Sequence, residues 1–192
     1  MRTKNQIYQD AASLHIASIP SGFLPTLGLK FLSLMYRCID ESASTVLITK
    51  YSDDQLVGFV TGSVGTSSLY RSMLSHPFVL VFALFPVVFR IKKVRKVFSI
   101  LRHSSGSVRA SYPAPELLTI CVNSSFRRQG IADELYFKLC NDFKSKSVNE
   151  FVIVVGKALD ANQFYINQGA SIVGELQVHA GTDSNVFIQR VS

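Results

Sequence analysis

With 192 residues, 47% of them apolar and 17% charged, the chain has enough material for one domain with its own core, and the balance excludes intrinsic disorder. Lys and Arg number 20 against 13 acidic residues, a formal net charge of +7 that favours anionic partners (nucleic acid, a membrane surface or a phosphorylated cofactor) without choosing among them. The three cysteines, Cys38, Cys121 and Cys140, are odd in number and lack metal-ligand spacing, so buried reduced thiols, no metal and a cytoplasmic setting are expected.

In chain order, residues 1–10 are polar and have no apolar stretch behind their basic start, so no secretory leader is expected. Residues 11–18 read as a short helix, and Pro20-Ser21-Gly22 then punctuates the chain. Over 24–39 the apolar positions Leu27, Phe31, Leu34, Met35 and Cys38 recur at helical spacing. Residues 45–51 and 56–64 are β-rich and separated by Ser52-Asp53-Asp54-Gln55, the pattern of a hairpin.

Segment 67–101 reads as a helical insertion, broken or kinked at Pro77 and Pro86. Its most apolar part, 78–89, falls short of the roughly 20 residues a spanning helix needs. Further on, Val87, Ile91, Val94 and Phe98 share a face, with Arg90, Lys92, Lys93, Arg95 and Lys96 interleaved. Stretch 87–102 is therefore either a core helix with a solvated basic face or an amphipathic helix lying on an anionic membrane. A loop rich in Ser and Gly follows at 103–111, with Pro113 and Pro115 after it.

The remaining chain alternates. Residues 117–122 form an apolar strand, and 130–143 a helix with Ile131, Leu135, Leu139 and Phe143 four apart. A buried strand at 151–155 and a short helix at 160–167, with Asp160 as its N-cap, come next. Strands at 171–176 and 186–190 close the chain. This order predicts an α/β or α+β sheet with a central parallel pair.

Chemistry concentrates where strand 117–122 turns, through Asn123-Ser124-Ser125-Phe126, into a helix start holding Arg127, Arg128, Gln129, Gly130, Ile131 and Ala132. Unpaired amides at a helix start attract anions, Gly130 lets the backbone come close to a phosphate, and arginine adds charged donors. A nucleotide-triphosphate loop is excluded because the Gly-Lys-Ser/Thr ending is missing. A dinucleotide fingerprint is excluded because only one of its three glycines is present. The residues alone give an anion site, with a plain helix start carrying surface arginines as the alternative.

Arg127-x-x-Gly130-x-Ala132 behind an apolar strand resembles the pyrophosphate loop of the GNAT superfamily of acyl-CoA-dependent N-acyltransferases, whose pattern is Arg or Gln, two residues, Gly, one residue, Gly or Ala. A second block, Ala161-Asn162-Gln163-Phe164-Tyr165-Ile166-Asn167-Gln168-Gly169, is similar to that family's later helix, whose Tyr precedes a Gly by four positions. Together the blocks cover residues 115–176.

The resemblance implies a mixed, mostly antiparallel central sheet with a central parallel strand pair flanked by helices, here with the insertion at 67–101. It implies a single domain, 1–192, with an acceptor-side half over 1–111 and an acetyl-CoA-binding half over 112–192. Amides from Arg128 to Ala132 would hold the CoA pyrophosphate, beside the Arg127 side chain. The strand edge at Ile120, Cys121 and Val122 would pair with the pantetheine arm, leaving the thioester carbonyl near the Val122 amide. The acceptor amine would attack that carbonyl directly, a base taking its proton and a backbone N–H stabilising the oxyanion. Tyr165 matches the tyrosine that protonates the departing thiolate, and a core aromatic is its bland alternative. Glu116 sits where many members place a basic carboxylate, and a solvated strand end is the alternative there.

Two positions depart from the pattern. Ala158 stands where the family commonly has Asn, with Asn162 able to make that cofactor contact instead, and Ala170 replaces an aromatic.

On the acceptor side, residues 15–25 look like the opening of a bacterial subset loosely associated with surface-sugar biosynthesis. His15 and Phe23 are the acceptor-binding candidates, ahead of His76, His103 and His179. The leading expectation is N-acetylation of a small-molecule amine, an amino sugar or nucleotide-linked sugar being favoured. Protein or peptide acetylation is a second reading. A non-catalytic module holding anionic membrane or nucleic acid through 87–102 is a third. Peripheral contact at the inner face of a membrane and homodimer formation are compatible with the sequence. Nucleic acid is not expected as a partner, because the basic stretch lacks interleaved stacking aromatics.

Overall fold

The computed structural model describes residues 2–20, 22–65, 112–113, 115–179 and 182–191. The expected insertion at 67–101, the basic stretch 87–102, the loop at 103–111, His76 and His103 lie outside them, as does the side chain of His179.

Helix α1 (Lys4–Ser18) starts well before the apolar period of 11–18. Thr3 and Gln6 form a reciprocal capping box, the Gln6 amide donating to Thr3 Oγ1 (3.3 Å) and the Thr3 amide to Gln6 Oε1 (2.8 Å). The single helical period over 24–39 resolves into two pieces. A 3-10 turn at Leu24–Leu27 carries Pro25, and Gly28 at φ 86° breaks it from α2 (Leu29–Glu41). Helices α1 and α2 pack together over one face of the sheet, burying Tyr8, Ala11, Phe31, Leu32 and Tyr36 against Phe59 and Cys121.

Strands β1 (Thr45–Ser52) and β2 (Gln55–Ser63) form the expected hairpin. Its two turn residues, Asp53 and Asp54, both have positive φ (45° and 62°), the backbone that a tight two-residue connection demands and that Asp tolerates. Strand β3 (Glu116–Val122) leads to α3 (Ile131–Ser145), β4 (Glu150–Gly156), α4 (Ala161–Asn167), β5 (Ser171–His179) and β6 (Thr182–Arg190). Asp160 holds the N-cap position of α4, but its own backbone is helical (φ −58°, ψ −20°) and its side chain makes no capping bond, contrary to the expectation.

The six described strands make one sheet in the order β1-β2-β3-β4-β6-β5, with β3 and β4 parallel and every other pair antiparallel. The mixed sheet with a central parallel pair is thus as expected. Helix α3 covers the face opposite α1 and α2, setting Leu135, Leu139 and Phe143 on Val57, Val60, Phe151 and Phe187. Glycines in β2 let it lie close: a Cβ on Gly62 would come 2.6 Å from Leu139 Cδ1 and 2.7 Å from Phe143 Cζ.

The sheet opens at its centre. β3 and β4 pair in register only at Glu116↔Val152 and Leu117↔Ile153, although each strand runs for 7 residues. At the same level the β2–β3 register slips, leaving Leu118 as an extra residue on β3. Such a bulge bends its strand and raises its twist, which swings the second half of β3 away from β4.

Candidate functional site

The opening places one edge of β3 at the disposal of a ligand. The Asn123 amide donates to the Val57 carbonyl (2.9 Å), and Cys121 is registered with Phe59. Because backbone groups alternate sides along a strand, Ile120 and Val122 turn their N–H and C=O toward the opening. Cys121 turns the other way, its backbone to β2 and its side chain into the α1–α2 core, where it is 3% exposed. Of the three residues expected on the donor edge, two face the gap and Cys121 does not. Burial pushes the Cys121 thiol up to about 12 and keeps it protonated, against weaker opposing effects from Ser18 and Arg127.

Past Val122, Asn123 caps a short 3-10 turn (Ser124–Phe126) by accepting a bond from the Ser125 amide (3.1 Å). Arg127 is extended, Arg128 has φ 60°, and Gly130 is left-handed at φ 75° as the residue capping α3. The arginines therefore sit in the turn ahead of the helix, where the sequence had suggested its first turn. Among the described residues, the consecutive amides from Arg128 to Asp133 have no acceptor; the first amide bonded again is that of Glu134, to the Gly130 carbonyl (3.0 Å).

These amides border a cleft of about 200 Å³ lined by Val122, Phe126, Arg127, Gly130, Ala132 and Phe164, with Arg128, Ile131 and Asp133 completing its wall. A Cβ built on Gly130 would meet nothing within 4 Å. Free donors, two exposed arginines and open space over the glycine fit a diphosphate, held by the unpaired helix start and by charge-assisted bonds. Gln129 is exposed beside them.

Tyr165 lies on α4 next to Phe164, 3% exposed and ringed by Tyr136, Phe164 and Phe187. Burial, with a smaller contribution from Cys121, pushes its hydroxyl well above the usual range, so it is protonated at neutral pH. Glu116 is buried at the start of β3, beside Ser63 and Val152. At about 3.3 Å per residue it lies about 13 Å from Ile120 and about 20 Å from Val122 along the strand. A proton could reach it from either only through waters.

Asn162 is committed elsewhere. Its amide nitrogen donates to the carbonyls of Gly156 (2.9 Å), Lys157 (3.3 Å) and Leu159 (2.6 Å), and its oxygen accepts from Asn185 (2.9 Å). It ties the loop before α4 to β6, and its oxygen keeps one lone pair beyond the bond from Asn185. His15 is likewise inside the protein, 3% exposed, its Nδ1 2.5 Å from the Tyr36 hydroxyl, and burial lowers it to about 4. The helical face it shares with Leu14 and Ala11 is core. Phe23 packs half-buried on the same core.

Phe126, Phe164, Asp133 and Gln168 were not singled out from sequence. Phe126, Phe164 and Gln168 lay inside the informative blocks, and Asp133 follows the first of them directly. Among the described residues no cluster of His, Cys, Asp or Glu is arranged for a metal ion, and no helix is long and apolar enough to cross a membrane.

Residues 14–170 match the model of the acetyltransferase (GNAT) family. The chain belongs to that family. As a GNAT acetyltransferase it is an enzyme of the N-acetyltransferase class, as the two sequence blocks had implied. The same fold occurs in an N-acetyltransferase from Staphylococcus aureus Mu50 (11% identity, TM-score 0.63, covering 100% of this chain and 97% of that one). It occurs in the aminoglycoside 6'-N-acetyltransferase from Enterococcus faecium (12% identity, TM-score 0.60, 97% and 91%). A third example is the PaiA N-acetyltransferase from Thermoplasma acidophilum in complex with coenzyme A (9% identity, TM-score 0.59, 99% and 96%). No curated protein matches the sequence.

Proposed function

We propose that this GNAT acetyltransferase moves an acetyl group from acetyl-CoA to the primary amine of a small molecule, an amino sugar or nucleotide-linked sugar being the favoured acceptor. The observation that carries the donor half is the run of acceptorless amides from Arg128 to Asp133, opening on a cleft flanked by Arg127 and Arg128. A structural neighbour solved with coenzyme A supports the same donor. The acceptor class follows the resemblance of residues 15–25, and a neighbour that acetylates aminoglycosides is compatible with it.

The pyrophosphate sits on the amides of Arg128 to Ala132, and the pantetheine arm runs back along the open edge of β3. That arm carries two amides and ends in a thioester, which suits an edge offering the backbone groups of both Val122 and Ile120. The amine nitrogen attacks the thioester carbonyl and the oxyanion takes a strand N–H. The C–S bond then breaks, and the sulfur takes up a proton from the Tyr165 side. Because burial makes the Tyr165 hydroxyl a weak acid, it first stabilises the thiolate as a hydrogen-bond donor. The amine's own proton leaves through waters, with Glu116 as their terminus.

Calorimetry tests the donor half directly. Acetyl-CoA is expected to bind at micromolar Kd while ATP and NAD do not, and amino sugars are then screened for turnover. Gly130→Val places a branched side chain at φ 75° and into the phosphate space. It abolishes acetyl-CoA binding while the protein stays folded by circular dichroism. Retained affinity in that variant would refute the loop's assignment.

A further inference from the structure

The cleft contains a charge of the wrong sign. Asp133 is exposed in the first turn of α3 and lines the same cavity as Arg127, Arg128 and the free amides. It occupies the third helical position, from which a carboxylate ordinarily folds back on the unpaired amides of its own helix start. Here it does not, for no side chain caps α3. Its Oδ1 instead accepts a 2.6 Å bond from Gln168 Nε2. Gln168 is well placed to hold it, since it terminates α4 with its amide bonded to the Phe164 and Tyr165 carbonyls (3.0 and 3.1 Å), just before Gly169 at φ 82°. The bond therefore also joins the helix carrying Tyr165 to the helix start that would hold the phosphates.

We propose that Asp133 is a built-in competitor for the donor's diphosphate, and that Gln168 is the positioning residue that keeps its carboxylate off the amides so that the donor can bind. The inference rests on the reading of the cleft as the acetyl-CoA site. It makes the Asp133–Gln168 pair a determinant of donor affinity. Removing the charge strengthens binding, and removing the glutamine releases the carboxylate to occupy the amides and repel the incoming phosphates. A charge facing a diphosphate across a solvated cleft is worth roughly three- to tenfold in Kd.

The test is a double-mutant cycle read by calorimetry with acetyl-CoA on the full chain, thermal unfolding confirming that each variant is folded. Asp133→Asn is expected to bind about three- to tenfold more tightly than wild type, the gain shrinking between about 0.02 M and about 0.5 M salt as the charges are screened. Gln168→Ala is expected to bind more weakly by a similar factor. In the Asp133→Asn background the same alanine change has little effect, because no charge remains to restrain. If Gln168→Ala weakened binding equally in both backgrounds, its role would be structural and the inference would fail. Unchanged or weaker binding by Asp133→Asn would also overturn it. Wild-type protein that did not bind acetyl-CoA at all would instead refute the reading of the site on which the inference rests.

Discussion

Burial acts in opposite directions on Tyr165 and His15, and each consequence can be measured. The Tyr165 hydroxyl is kept protonated because its anion would lie among Tyr136, Phe164 and Phe187. Removing that oxygen alone, in Tyr165→Phe, leaves the packing in place. Turnover is expected to fall by about 10²-fold or more, with the Kd for acetyl-CoA changed less than about twofold. A loss of binding that matched the loss of rate would show a packing residue rather than an acid. For His15, burial favours the neutral ring and holds it at about 4, below the ordinary 6.5. Above pH 6.5 the ring is neutral in both folded and unfolded chains, so its contribution does not vary. Between pH 6.5 and about 4 the unfolded chain takes a proton that the folded one refuses, so stability falls as pH falls, by about 1.4 kcal/mol per unit and about 3 kcal/mol in all. Urea unfolding at about pH 7.5 and about pH 5 in wild type and His15→Gln checks this. The variant is expected to lose less stability on acidification, and equal losses would assign the acid sensitivity to other groups.

At the scale of elements, the site depends on how closely α3 lies on the sheet. Gly62 meets Leu139 and Phe143, while Gly58 meets Leu135 and Ile131 nearer the helix start. A methyl at Gly62 overlaps Leu139 Cδ1 at 2.6 Å, and neither Leu139 nor Phe143 has free space to retreat, both being fully buried. Gly62→Ala is therefore expected to cost about 1–3 kcal/mol in urea unfolding. A neutral result would mean that the helix shifts without loss. The same elements mark what was legible in the sequence. The four-residue spacing of Ile131, Leu135, Leu139 and Phe143 announced α3, and the Arg127-x-x-Gly130-x-Ala132 pattern announced the turn of acceptorless amides ahead of it. The start of α1 was hidden because its first turn is polar and held by a capping box instead of an apolar stripe. The bulge at Leu118 was hidden too, since a register slip depends on the partner strand and leaves no periodicity of its own. Yet that slip lies where β3 and β4 stop pairing. The burial of His15 was hidden for a related reason: whether a histidine faces solvent or core is decided by how α1 sits on α2, which one helix's sequence does not contain.

For the whole molecule, the formal charge of +7 is distributed over 20 basic and 13 acidic residues, and most cations in the described elements are already spoken for. Lys50 and Lys138 share Glu134, Lys146 faces Asp142, and Arg37 faces Glu41. Arg127 and Arg128 have no such partner among the described residues and stand at the cleft. Surface pairs of this kind add little to stability, so the net charge matters more for encounter than for folding. Acetyl-CoA carries several negative charges, and a positively charged protein with unpaired arginines at the cleft mouth draws it in over a distance set by the Debye length, about 8 Å at physiological salt. Stopped-flow measurement of acetyl-CoA association is expected to give a rate that falls about tenfold between about 0.02 M and about 0.5 M salt, while dissociation changes much less. Replacing Arg127 and Arg128 together by glutamine removes most of that salt dependence, because the two unpaired charges lie nearest the bound phosphates. If the double variant kept the full slope, the attraction would come from the remaining basic residues acting at a distance.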